Sequence, residues 1–141
     1  MKPVHILLVE DNEGDILLTL DAFEESKIKT NISVVKNGKD ALDFLQKQGD
    51  FSNHESPDLI LLDINIPVFD GHDVLNSIKK DSKLKKIPVI MLTTSSAQKD
   101  INKAYESHAN SFVTKPIEMD DFLNAILKIE EFWLQLSKLA K

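Results

Sequence analysis

The chain has 141 residues, of which 42% are apolar and 28% charged, an ordinary composition for one globular domain. It contains no cysteine, which excludes disulfides and zinc clusters built from thiolates. All 17 basic residues are lysine and the net charge is -6, an unfavourable balance for binding nucleic acid. The first apolar run is too short for a signal peptide or a membrane span. We therefore expect a cytoplasmic protein with neither nucleic-acid nor membrane partners.

Short apolar runs alternate with longer segments of helical periodicity along the chain. Strands are predicted at residues 4–9, 32–35, 59–62, 89–92 and 111–113. Apolar residues recur at helical spacing over residues 16–23, 42–45, 74–78 and 119–139. The runs at 59–62 and 89–92 are apolar throughout, as is typical of central parallel strands covered on both faces. Five β–α units of this kind predict a parallel sheet with helices on both faces.

Polar residues follow four of the five predicted strands. Glu10 and Asp11 follow the first strand, and Asp63 follows the third. Thr93 follows the fourth strand, and Lys115 comes shortly after the fifth. Open α/β sheets bind their ligands at the carboxyl ends of the strands. We therefore expect these side chains to meet at one edge of the sheet.

The residue types at this edge indicate phosphoryl chemistry. Clustered carboxylates repel one another unless a cation lies among them, and Mg²⁺ prefers oxygen ligands. An aspartate can act as a nucleophile and form an aspartyl phosphate, while an ammonium and a hydroxyl can contact the phosphoryl oxygens. Each residue alone has a more ordinary interpretation as a helix cap, a turn residue or a surface charge. Their joint occurrence in order at strand ends favours a functional site.

Five segments resemble the response-regulator receiver family, and the resemblance runs over essentially the whole chain. They are residues 6–12 (ILLVEDN), 59–67 (LILLDINIP), 70–71 (DG), 88–93 (PVIMLT) and 112–116 (FVTKP). The resemblance implies an α/β, doubly wound, flavodoxin-like receiver fold with a five-stranded parallel sheet in the order 2-1-3-4-5. It also implies a single receiver domain over residues 3–141, with an extended C-terminal helix at about 118–139 and no output domain.

The same resemblance assigns roles to the residues at the strand ends. It implies that Asp63 is the phosphoacceptor. It implies a Mg²⁺ site formed by Asp11, Asp63, the backbone carbonyl of Asn65 and, through a water molecule, Glu10. It further implies that Lys115 contacts the phosphoryl group. The protein would then be a signalling receiver that catalyses only its own phosphorylation and dephosphorylation, rather than an enzyme of metabolism.

A switch and a set of partners also follow from the resemblance. Thr93 would contact the phosphoryl group, and Thr93 and Phe112 would together change the face formed by the fourth helix, the fifth strand and the fifth helix. The phosphodonor would be a sensor histidine kinase, and the output a downstream protein or a phosphotransfer partner. Residues 92–95 and 129–134 are similar to small regulators paired with bacterial phytochrome kinases. An apolar stripe near Trp133 fits either the core of the domain or a contact with a partner, and in the second interpretation we expect a symmetric homodimer.

Three other classes of protein share parts of this pattern. A phosphatase of the haloacid-dehalogenase type typically has a second aspartate two residues after its nucleophile, where this chain has Asn65. A flavodoxin-like electron carrier would need a phosphate-binding loop after the first strand, where Glu10 and Asp11 would repel a flavin phosphate. The alternative kept open is a pseudo-receiver, a binding module without phosphorylation, although such modules usually lack one of the acidic, hydroxyl or lysine positions.

Overall fold

The computed structural model describes residues 3–26, 29–47, 55–93, 111–115, 117–118, 120–121 and 124. Its strands and helices are β1 Val4–Val9, α1 Glu13–Glu25, β2 Thr30–Val35, α2 Gly38–Leu45, β3 Leu59–Asp63, α3 Gly71–Lys80, β4 Val89–Thr93 and β5 Ser111–Thr114. A short 3-10 turn at Leu84–Lys86 precedes β4. Most of the predicted C-terminal helix at 118–139, including Trp133, lies outside the described residues.

The strands form one parallel sheet in the order β2-β1-β3-β4-β5. This confirms the predicted five-stranded, doubly wound arrangement. The register aligns the carboxyl ends of the neighbouring strands. Val9 of β1 pairs with Leu62 of β3, and Asp63 pairs with Leu92 of β4. The residues that follow β1, β3, β4 and β5 are therefore delivered to the same edge of the sheet.

Side chains of the sheet alternate between two core clusters, because successive residues of a strand point to opposite faces. In β1, Leu7 and Val9 belong to the cluster that includes α2 and α3, while Ile6 and Leu8 belong to the cluster that includes α1. Both β3 and β4 are buried along their whole length, as the apolar runs predicted. Within the described ranges, none of the helices combines the length and apolarity that crossing a bilayer would require.

In the described part of the chain, α1, α2 and α3 each begin after a side chain that accepts a hydrogen bond from the backbone N–H three residues later. These N-cap residues are Asn12, Asn37 and Asp70, with oxygen–nitrogen distances of 2.9, 2.7 and 2.9 Å. Gly38 and Gly71 follow two of the caps. A Cβ at Gly38 would lie 2.2 Å from the carbonyl oxygen of Phe69. The Asn-Gly and Asp-Gly pairs thus begin helices and allow the loop before α3 to pack closely on α2.

Candidate functional site

Three buried polar side chains meet at the carboxyl edge of the sheet. Glu10 directly follows β1 and is 1% exposed, and Asp63 is the last residue of β3 and is 3% exposed. Lys115 directly follows β5, and its side chain is 8% exposed. Charged groups are rarely buried so deeply unless they are paired. Their burial therefore depends on the contacts that they make with one another.

The ammonium group of Lys115 lies among the carboxylates. Its Nζ is 2.9 Å from Oδ2 of Asp63 and 3.0 Å from Oδ2 of Asp15, and it forms an ion pair with Oε1 of Glu10. The backbone N–H of Lys115 donates to the carbonyl oxygen of Thr93 over 2.7 Å. That bond continues the pairing of β5 with β4 and fixes the point from which the lysine side chain enters the site.

Backbone N–H groups orient the two buried carboxylates. Oδ1 of Asp63 accepts from the N–H of Asn65 over 3.1 Å, which leaves Oδ2 to face Lys115. Oε2 of Glu10 accepts from the N–H groups of Asp11 and Asn12, at 3.1 and 3.4 Å, and Oε1 faces Lys115. In each carboxylate, one oxygen is held by the backbone and the other is directed at the ammonium group.

Glu10, Asp11 and Asp63 form an acidic trio in which one carboxylate oxygen of each residue lies within 4.8 Å of those of the other two. Asp11 is exposed, whereas the other two are buried. All the side-chain donors are oxygens, which suits a hard divalent cation such as Mg²⁺. Lys115 pairs with Glu10 and Asp63, whereas Asp11 is the member of the trio that is exposed to solvent. The residues present therefore fit the cation that the sequence predicts.

Burial and mutual repulsion shift the proton affinities of this cluster. Loss of hydration and the nearby Asp63 raise the pKa of Glu10 from 4.5 to about 7, although Lys115 acts in the opposite direction. Burial of Lys115 opposes its charge, but hydrogen bonds to Glu10, Asp63 and Asp15 outweigh this and raise the pKa of Lys115 well above its usual value. The lysine therefore stays charged.

The structure brings together most of the residues that the sequence singled out. Glu10, Asp11, Asp63 and Lys115 contact one another or share the trio. Thr93 is the last residue of β4, is buried and adjoins the site through its backbone. Asn65 adjoins it through its N–H and has an exposed side chain.

Phe112 of β5 is half-buried and packs against the core cluster on the α2 and α3 side of the sheet. Sequence reasoning missed Asp15, which lies in the first turn of α1 and follows no strand. At the third position of α1 an acidic residue is ordinarily a helix-capping residue, so nothing in the sequence indicated that Asp15 reaches the site.

Residues 6–127 match the family model described as the response regulator receiver domain, and the chain belongs to this family of two-component signalling proteins. The chain is 41% identical to the response regulator Rcp1 of Synechocystis sp. over 133 residues, which cover 94% of this chain and 90% of Rcp1. The fold, the site and this likeness together define a signalling receiver rather than a metabolic enzyme, related to phytochrome-associated regulators.

Two solved structures of such relatives resemble the chain closely. The Mn(2+)-bound form of Rcp1 has a TM-score of 0.78 and 42% identity, and the match covers 94% of this chain and 95% of that one. The phosphorylated cyanobacterial phytochrome response regulator RcpA has a TM-score of 0.79 and 41% identity, and the match covers 94% of both chains. One relative thus binds a divalent cation and another carries a phosphoryl group.

Proposed function

We propose that the protein accepts a phosphoryl group on Asp63 from a sensor histidine kinase and passes the signal to a partner protein. One observation carries this proposal. Asp63 is a buried carboxylate at a strand end, with an oxygen within 4.8 Å of an oxygen of Glu10 and of Asp11, and its Oδ2 is 2.9 Å from the ammonium group of Lys115. A structural salt bridge needs one carboxylate for one lysine, whereas Glu10, Asp15 and Asp63 all pair with Lys115.

The transfer would use the two oxygens of Asp63 differently. One carboxylate oxygen forms a bond to the phosphorus of a phosphohistidine, the phosphorus–nitrogen bond breaks, and its electron pair stays on the histidine nitrogen. The N–H of Asn65 holds Oδ1 in place, so the orientation of the carboxylate is set before the donor arrives. The ammonium group of Lys115 would bind the phosphoryl oxygens, over which negative charge spreads during the transfer. The Thr93 hydroxyl would donate to one of these oxygens.

Mg²⁺ is the cofactor that this proposal requires. Asp11, Asp63 and the backbone carbonyl of Asn65 would hold it, with Glu10 acting through a water molecule. When bound, the cation neutralises charge on the phosphoryl oxygens and on the crowded carboxylates. The oxygen-only donor set and the Mn(2+)-bound form of Rcp1 support this assignment.

The output would arise from Thr93 and Phe112, on neighbouring strands. If the Thr93 hydroxyl moves towards a phosphoryl group on Asp63, the half-buried ring of Phe112 can change its packing against the sheet and remodel the face that includes β5. The donor kinase would be phytochrome-like, since the chain is similar to the phytochrome response regulator RcpA. We further propose a cytoplasmic receiver over residues 3–141 that forms a homodimer and signals to a downstream protein or phosphotransfer partner.

Acetyl phosphate and Mg²⁺ provide a direct test. Intact mass measurement should detect one added phosphoryl group that is lost in acid and in base. Asp63→Asn should abolish this addition, because the amide is a poor nucleophile. Asp73→Asn is the matched control, since it makes the same substitution at an exposed aspartate of α3. Phosphorylation that persists in Asp63→Asn would refute the assignment, and a wild-type protein that never becomes phosphorylated would favour the pseudo-receiver.

A further inference from the structure

Lys115 has a carboxylate partner that belongs neither to the acidic trio nor to a strand end. Oδ2 of Asp15 lies 3.0 Å from Nζ of Lys115, across 100 positions of the chain. The side chain of Asp15 is 27% exposed, so it sits at the outer side of the ammonium group, whereas Glu10 and Asp63 are almost fully buried. Asp15 therefore joins the start of α1 to the residue that follows β5.

The backbone holds Asp15 firmly at this place. Its N–H donates to Oδ1 of the N-cap residue Asn12 over 2.9 Å, and its carbonyl oxygen accepts from the Thr19 hydroxyl over 2.8 Å. An acidic side chain at this helix position commonly turns back to bind the N–H of the N-cap residue. Here the N–H of Asn12 donates to Glu10 instead, and the carboxylate of Asp15 contacts Lys115.

We propose that Asp15 is a positioning residue, which holds the ammonium group of Lys115 at the mouth of the site where an incoming phosphoryl group would meet it. This inference rests on the proposed function. Lysine carries its charge on a flexible stem with four rotatable bonds, and fixing such a group in advance removes an entropic cost from the transfer step. Glu10 and Asp63 cannot supply this restraint throughout, because the metal and the phosphoryl group would engage their oxygens. Asp15 lies outside the trio and can keep its contact during the transfer.

Asp15→Asn tests the role, with Glu13→Gln as the matched control. Glu13 lies in the same first turn of α1, but it pairs with Lys36 on the surface. Both variants remove one negative charge from the same helix end. With saturating Mg²⁺ and acetyl phosphate, we expect Asp15→Asn to slow phosphorylation about tenfold, the usual scale for a hydrogen bond between charged groups. Glu13→Gln should leave the rate unchanged, and calorimetric titration should give both variants the same Mg²⁺ affinity.

Asp15→Glu provides a rescue, because it keeps the charge and should recover most of the lost rate. Equal phosphorylation rates in Asp15→Asn and Glu13→Gln would overturn the inference. So would a Mg²⁺ affinity that falls in parallel with the rate, since Asp15 would then act on the metal instead of Lys115. Both results leave the assignment of Asp63 intact. Failure of that assignment would appear separately, as phosphorylation of the Asp63→Asn protein.

Discussion

A Cβ atom placed on Gly71 would lie 2.4 Å from the carbonyl oxygen of Asp63. The start of α3 therefore presses directly on the backbone of the proposed phosphoacceptor, and the N–H of Gly71 donates to the carbonyl oxygen of Ile64 over 2.8 Å. The backbone at Asp63 and Ile64 can lie this close to α3 only because position 71 has no side chain.

Gly71→Ala should disturb both stability and chemistry. The added methyl group must push the backbone after β3 aside, because backbone atoms offer no rotamer that would relieve the contact. We expect a loss of about 1–3 kcal/mol in the free energy of unfolding, as for other overpacked sites. We also expect slower phosphorylation from acetyl phosphate. Gly14→Ala is the control, because its Cβ would meet only the end of the Asn12 side chain, at 3.3 Å. Equal effects of the two substitutions would contradict this account.

Val68 adopts a φ of 71°, a conformation that is strained for a β-branched residue. It is also 69% exposed, so its side chain contributes little burial in return. Val68→Gly should therefore raise the free energy of unfolding by about 1 kcal/mol, measured by urea denaturation. Val68→Ala removes most of the same apolar surface but keeps a Cβ, and it should gain less. An equal gain in both variants would attribute the effect to the loss of exposed apolar surface instead of backbone strain.

The raised pKa of Glu10 gives a pH dependence in the metal-free protein. Its pKa is 4.5 ordinarily and about 7 in the folded chain, so the folded state binds more protons between these values. The stabilising contribution of protonated Glu10 is present below pH 4.5 and is lost as the pH rises through about 7. Urea unfolding in a chelator should show this decline. Glu10→Gln should flatten it, and an unchanged slope in that variant would assign the decline to another group.

Thr93 offers a test of the hydroxyl at the end of β4. Thr93→Val keeps the shape of a side chain that is 1% exposed but removes the hydroxyl that we propose donates to the phosphoryl group. We expect the steady-state phosphorylated fraction to fall, by an effect of about tenfold on the phosphorylation equilibrium. Thr93→Ser retains the hydroxyl and should stay close to wild type. The phosphorylated fraction is measured by intact mass after incubation with acetyl phosphate. An equal fraction in Thr93→Val and the wild type would contradict a role for the Thr93 hydroxyl at the site.

The strands were predicted closely because β3 and β4 are buried on both faces and consist of apolar residues. The structure extends each by one residue, to Asp63 and Thr93. Asp63 pairs with Leu92 through the backbone, which hydrophobic periodicity cannot reveal because it reports only side chains. The strand order came from the family resemblance, since periodicity does not specify which strands are neighbours.

The contact between Asp15 and Lys115 lay beyond sequence reasoning for a different reason. The predicted site residues lie at the ends of strands, whereas Asp15 lies in the first turn of a helix. Its direction depends on the hydrogen bond between Asn12 and Glu10, which occupies the N–H that Asp15 would otherwise bind. The sequence likewise did not indicate the close approach of backbone atoms to Gly38 and Gly71, because this depends on which loop packs against the start of each helix.

Lys115 is 52 positions from Asp63 and 100 from Asp15 along the chain. The site can therefore form only after distant parts of the chain have come together. Lys115 reaches Asp63 only when β5 has joined β4 and β4 has joined β3. Until then Glu10, Asp15 and Asp63 lack their lysine partner, and their carboxylates repel one another. A chain emerging from the ribosome therefore cannot form the complete charge cluster before β5 is in place. Competence for phosphorylation would thus arise only after Lys115 has been made, and shorter nascent chains would not respond to the kinase.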